Sequence, residues 1–146
     1  MRGKDNLWVR PHPGPFVWNN IEKEKGFFSW GKADEYVTYA QNHNQTTIAT
    51  IWPYSNWEQK SCKRKKGRSP FGKRFAKYLS KPCSMENYKI FLSALVDRYD
   101  GDGTNDMPGL IKPIIHWEIM NEPEFKMFFK GTEDEFVEIF NFSSKL

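Results

Sequence analysis

The chain has 146 residues, of which 38% are hydrophobic and 27% charged, an ordinary balance for a single folded domain with its own core. No apolar run approaches the ~20 residues of a membrane helix, so the sequence predicts no membrane contact. The start, M-R-G-K-D-N, has no apolar stretch behind it and does not resemble a signal peptide. The compartment is left open, including secretion of a longer parent protein.

The net charge of +4 is unevenly distributed along the chain. Residues 60–81 contain ten Lys or Arg and no Asp or Glu, and the remainder has 12 basic against 18 acidic residues. The run K-R-K-K-G-R at 63–68 resembles a polyanion or nucleic-acid patch, although a solvated loop has the same composition. Cys62 and Cys83 bracket this segment and can form a disulfide in an oxidising compartment or remain free thiols elsewhere.

The first half of the chain predicts a strand, a helix and a second strand. Residues 7–10 form a short apolar run that Pro11 ends. Residues 33–42 show apolar positions at helical spacing. Residues 46–52 are dense in β-branched side chains up to Pro53, which favours a strand buried on both faces. A long connection, residues 53–83, follows, and connections of that length are usually functional or partly ordered by short helices.

The second half repeats the alternation. Ser84 can cap a helix that runs to about residue 99, with an apolar face of Tyr88, Phe91, Leu92, Leu95, Val96 and Tyr99. Residues 113–120 read as a third strand, and the capping box T-x-x-E at 132–135 opens a last helix. With no hairpin signal, the pattern predicts an α/β domain over residues 1–146 with a parallel sheet and right-handed crossovers.

The turn after the long helix holds oxygen side chains at alternate positions: Asp100, Asp102, Thr104 and Asp106. This alternation is typical of calcium loops, but position 111, where such a loop has its bidentate Glu, is Ile. The competing interpretation is a glycine-rich turn that ends a helix. We therefore predict that the chain has no metal site. The four residues are the candidate ligands under the alternative, a calcium loop.

The third strand holds the residues that point to chemistry. Glu118 lies inside it, and Glu122 lies at its exit, where Pro123 stops the ladder. A carboxylate at the carboxyl end of a parallel strand is where (β/α)8 enzymes keep their catalytic groups, although N-E-P also occurs in solvated loops. We expect the first apolar run to be buried, so Arg10, near its end, needs an anionic partner, for which Glu118 and Glu122 are the candidates.

Four segments together resemble the clan of retaining glycoside hydrolases built on (β/α)8 barrels. They are W-V-R-P-H-P-G-P-F at 8–16, A-T-I-W-P at 49–53, R-Y-D-G-D-G-T-N-D-M-P-G-L at 98–110 and H-W-E-I-M-N-E-P at 116–123. The resemblance implies that Glu122 is the acid/base and that Asn121 holds the 2-hydroxyl of the sugar. It further implies that Arg10 supports the catalytic carboxylates, that His12 and Trp52 lie at a substrate-facing rim, that the partner is a carbohydrate, and that no cofactor is needed.

The resemblance covers only part of a barrel, because a full one takes ~250 residues. The predicted strands match the second to fourth, so we expect a partial TIM barrel, a fragment in which strand 1 and strands 5–8 are missing. The clan's nucleophile lies on the seventh strand and has no match here. We therefore expect the chain to be inactive without the remaining barrel segments. The alternatives are a polyanion- or nucleic-acid-binding protein using residues 60–81, and a (β/α)8 enzyme of another reaction class.

Overall fold

A computed structural model describes residues 6–72 and 75–146. In chain order its elements are β1 (Leu7–Val9), α1 (Trp18–Ile21), β2 (Glu22–Glu24), β3 (Phe27–Phe28), α2 (Gly31–Asn42), β4 (Gln45–Ile51), α3 (Asn56–Ser61), α4 (Met85–Tyr99), β5 (His116–Ile119) and α5 (Glu133–Ser143).

Three strands, β1, β4 and β5, form a parallel sheet in that spatial order. The predicted mixed α/β class with a parallel sheet is confirmed, and the three predicted strands and three long helices all form within a few residues of their predicted bounds. Each strand lies beside the next strand of the sheet along the chain. Three parallel strands in sequential order occur both in a segment of a (β/α)8 barrel and in one half of a doubly wound sheet, so the strand order is compatible with either fold.

The two faces of the sheet differ in what covers them. One face holds Ala49 and Ile51, both about fully buried, and packs against the helices. The opposite face holds Trp8, Thr50 and Glu118, since Trp8 pairs with Thr46 and Thr50 with Glu118 in the parallel register. Because β1 is an edge strand of this sheet, Leu7 and Trp8 are 58% and 53% exposed, and the prediction of a buried first run is wrong for them.

Helices α2 and α4 are fixed to each other by a partly buried polar contact. Arg98 donates from Nε to Asp34 at 2.9 Å and from a terminal nitrogen at 2.5 Å, and the Tyr99 hydroxyl donates to the same carboxylate at 2.8 Å. The predicted cap is present, since Ser84 Oγ accepts from Asn87 N at 3.2 Å. The helix ends before Gly101, whose φ of +75° and closeness to the Pro113 ring leave no room for a Cβ.

Sequence analysis missed the β2–β3 hairpin, and its prediction that the chain has none is wrong. The strands have only three and two residues, too few for a recognisable alternation, and they turn at Gly26 with φ +83°. The buried Glu22 carboxylate holds the turn by accepting from Trp18 Nε1 at 2.5 Å and from Gly26 N at 2.7 Å.

The long connection between β4 and α4 is partly ordered by helix α3, and a disulfide joins Cys62 to Cys83. Its two arms meet where Lys66 and Tyr78 form an antiparallel bridge and Gly67 N donates to Lys77 O at 2.9 Å. Phe75 and Leu79 from this connection enter the core. The connection is therefore a folded loop that the disulfide closes. In the part of the chain that the structure describes, no helix is both long and apolar enough to span a bilayer.

Candidate active site

The carboxyl end of the sheet carries a connected set of polar side chains. Arg10, just after β1, donates from Nε to Glu118 Oε2 at 2.9 Å, and its terminal nitrogen lies 2.7 Å from the same oxygen. That terminal nitrogen also donates to Asn121 Oδ1 at 2.7 Å. Of the two candidate partners of Arg10, the structure shows Glu118. One guanidinium thus ties the end of β1 to β5 and to the residue after it.

Thr50 is a member of this set that sequence analysis missed. It is fully buried in β4, and its hydroxyl donates to Glu118 Oε2 at 2.7 Å. The only signal was a polar residue within an apolar strand, and it gains meaning from the register that places Thr50 directly opposite Glu118. With Arg10 and Thr50 both donating to it, the Glu118 carboxylate is compensated and held in place.

Asn121 connects this network to Glu122. Its amide Nδ2 donates to Glu122 Oε2 at 3.2 Å while its oxygen accepts from Arg10. Glu122 itself is solvent-exposed, with the side chain reached directly from the end of the sheet. The order of contacts is therefore Thr50, Glu118, Arg10, Asn121, Glu122.

The backbone at the exit of β5 has an unusual conformation. Met120 and Glu122 have φ values of +58° and +44°, a region that non-glycine residues adopt at a cost of about 1–3 kcal/mol each. Met120 N donates to Ile51 O at 3.0 Å, which fixes the first of these turns against β4. Such conformations cluster at functional sites, because the surrounding structure must hold them. Glu122, at the second of these turns, is exposed to solvent.

The loop after Glu122 is anchored by Tyr54. The Tyr54 hydroxyl donates to Phe128 O at 2.6 Å and lies 3.0 Å from Met120 Sδ. Burial raises the pKa of Tyr54 well above its usual value, so the hydroxyl remains a donor throughout the working pH range.

Burial likewise raises the pKa of Glu58, which lies in α3. Its carboxyl group accepts from Cys83 N at 2.9 Å and from Ser84 N at 2.6 Å, at the start of α4.

An aromatic cluster lies at the same end of the sheet. His12 is exposed, and its ring centroid lies 4.9 Å from that of Phe71 and 5.9 Å from that of Trp52. Trp52 is fully buried, and its indole Nε1 donates to Pro13 O at 2.9 Å. We expected Trp52 at a substrate-facing rim. In the part of the chain that the structure describes it is covered instead, by Phe71, Phe75 and Phe128. His12 keeps an accessible position.

The residues of the calcium candidate form a turn in which carboxylates accept hydrogen bonds from the backbone of the turn itself. Asp106 accepts from Gly101 N at 3.1 Å and from Gly103 N at 2.8 Å, one bond to each carboxylate oxygen. Asp102 accepts from Thr104 N at 2.7 Å. The carboxylates that approach one another are Asp97, Asp100 and Asp102, so the predicted set of four is only partly brought together. These backbone bonds account for the alternation of oxygen side chains without a cation.

No family model matches the chain, and no curated protein matches it. Among solved structures, the chain is similar to a glucosidase from Croceicoccus marinus at 16% sequence identity and a TM-score of 0.64. The match covers 95% of this chain and 27% of that one, so the chain spans about a quarter of the glucosidase's length. At this identity the likeness concerns the fold alone.

Proposed function

We propose that the chain is part of the catalytic domain of a retaining glycoside hydrolase, with β1, β4 and β5 as the second to fourth strands of a (β/α)8 barrel. The observation that carries the proposal is the Arg10 bridge, which joins Glu118 to Asn121 beside an exposed Glu122. The fold likeness to a glucosidase, over nearly the whole of this chain, supports it.

In the proposed reaction Glu122 protonates the glycosidic oxygen as the bond to the anomeric carbon breaks. A second carboxylate attacks that carbon, and Glu122 then removes a proton from the water that hydrolyses the glycosyl-enzyme. Asn121 would hold the 2-hydroxyl of the sugar while Arg10 fixes its amide. Retention needs the two carboxyl groups ~5–5.5 Å apart, and we assign the nucleophile to a strand outside these 146 residues. A carbohydrate is the partner, and we assign no cofactor.

The proposal is tested by Glu122→Gln in a protein that contains the remaining barrel segments. Turnover of a substrate with a poor leaving group should fall about 10²–10⁴-fold, because such a group must be protonated as it leaves. An aryl glycoside with an acidic phenol leaving group needs that proton less, so its bond cleavage should fall far less. The matched control is Glu124→Gln, an exposed carboxylate two residues on, which should leave both rates unchanged.

A second variant separates acid/base catalysis from a structural role. Glu122→Ala removes the carboxylate and opens space for azide, which can attack the glycosyl-enzyme in place of the activated water. With the aryl glycoside of an acidic phenol as substrate, azide should restore turnover and give a glycosyl azide of retained configuration. Full activity of Glu122→Gln on poor leaving groups would refute the assignment. So would turnover of polysaccharides or aryl glycosides by the purified 146-residue chain alone, since that chain lacks the nucleophile as we assign it.

A further inference from the structure

The basic segment, residues 60–81, concentrates exposed positive charge. Lys63, Lys65, Lys66, Arg68 and Lys77 are exposed, and no described carboxylate forms an ion pair with any of them. Two other cations of the segment are used internally. Arg64 pairs with Glu135 at 3.3 Å, and Lys81 pairs with Glu138, so the segment is fastened to α5 by some charges while the others remain free for a ligand.

Two of these free cations, Arg68 and Lys77, line an open pocket. The pairing of the two arms brings Arg68 and Lys77 to the walls of a pocket of about 480 Å³, together with Ser69 and Gly72. This volume lies within the ~300–1,000 Å³ typical of sites for small molecules. The chain here is held in shape by the disulfide and by the bond from Phe71 N to Ser69 Oγ at 3.1 Å. Two cations on a pre-formed pocket favour an anionic group.

The segment also reaches the end of the sheet that carries Glu122. Phe71, at its tip, packs edge-on against His12 with centroids 4.9 Å apart, and stacks on Phe128 at 5.9 Å. His12 lies two residues after Arg10, and Phe128 lies six residues after Glu122. Through Phe71, the segment that forms the pocket therefore contacts the loops that follow Arg10 and Glu122.

We propose that this pocket is a subsite for an acidic polysaccharide, so that the substrate carries carboxylate or sulfate groups. The inference rests on the proposed function and names its substrate class. A single-stranded nucleic acid is the less suitable ligand, because Phe75 and Tyr78 are buried and offer no faces on which bases could stack. Binding of duplex DNA is an outcome of the test.

The test measures binding and needs no turnover. The 146-residue chain is titrated with polygalacturonate, dextran sulfate, neutral dextran and duplex DNA, by affinity electrophoresis and calorimetry at low and high salt. We expect both acidic polymers to bind and dextran not to bind. Replacing the pocket cations Arg68 and Lys77, together with the neighbouring exposed Lys65 and Lys66, by Gln should weaken binding about tenfold or more and flatten its salt dependence, since each cation displaces counterions. The matched control replaces four exposed lysines elsewhere, namely Lys23, Lys25, Lys32 and Lys89.

A difference between polygalacturonate and dextran sulfate identifies carboxylate or sulfate as the preferred group. Equal binding of dextran would overturn the proposal, as would an equal loss in the control variant, which would reduce the effect to net charge. Tighter binding of duplex DNA that depends on the same four residues would replace it with a nucleic-acid function. Failure of Glu122→Gln to affect hydrolysis would remove the proposed function while leaving these binding results as they stand, so the two failures are distinguishable.

Discussion

The Cys62–Cys83 disulfide closes the base of the basic segment, and its removal should destabilise the chain measurably. The two cysteines are 21 positions apart, with Cα atoms separated by 5.8 Å. For a closed loop of this length the chain-entropy relation gives about 3 kcal/mol at 25 °C. For a domain of ~150 residues each kcal/mol shifts the melting temperature by about 2–4 °C. The Cys62→Ser/Cys83→Ser variant should therefore melt about 6–12 °C lower than the oxidised chain.

The assay is urea and thermal unfolding followed by tryptophan fluorescence and circular dichroism, with and without dithiothreitol. Reduced wild-type chain should match the double variant, and reductant should have no effect on the variant. Limited trypsin digestion adds a local readout, because opening the staple should speed cleavage after Lys65 and Lys66, both exposed. Equal unfolding midpoints for the oxidised wild type and the variant would refute a stabilising role of the disulfide, since the basic segment would then be held entirely by its other contacts.

Two further predictions concern charged groups at the sheet and below α4. In a double-mutant cycle, the effects of Arg10→Ala and Glu118→Gln on the free energy of unfolding should be coupled by about 1 kcal/mol, a small value because the two side chains are 34% and 35% exposed. Additive effects would show that the ion pair contributes nothing. As the control, the distant Lys89→Gln change should add independently to each. Burial raises the pKa of Glu58 above its usual 4.5, so its contribution to stability is greatest below that pH and is lost as the pH rises through the folded-state pKa. Urea unfolding should therefore show wild type losing stability relative to Glu58→Gln as the pH increases from about 4 toward neutrality, and a constant difference between the two would contradict the raised pKa.

Much of the scaffold was predictable because its signals are local. The capping box at Thr132 forms as expected, with Thr132 Oγ1 accepting from Glu135 N at 3.2 Å and the Glu135 carboxylate accepting from Thr132 N at 3.0 Å. The β-branched run of β4 and the helical spacing of α4 each gave the correct element type. Local propensity failed at the β2–β3 hairpin, where strands of two and three residues carry too little pattern and a buried carboxylate supplies the order.

At the candidate site, the sequence indicated which residues carry chemistry but not how they are connected. It placed a carboxylate at the end of a parallel strand and left Arg10 with two possible partners. The choice of Glu118 depends on strand register, which brings residues 108 positions apart within hydrogen-bond distance. The same register makes the buried Thr50 a donor to that carboxylate. Trp52 shows the converse, since its covering by Phe71 and Phe75 depends on where the long connection between β4 and α4 folds.

The sequence by itself determined the alternation of strands and helices, the helix caps, the position of Glu122 at the exit of a strand and the concentration of positive charge in residues 60–81, because each depends on residues close together in the chain. Only the tertiary structure decided the sheet order, the Thr50–Glu118–Arg10–Asn121–Glu122 chain of contacts, the disulfide, and the pocket between Arg68 and Lys77. These depend on which distant segments meet, and that is set by the packing of the sheet and its helices as a whole.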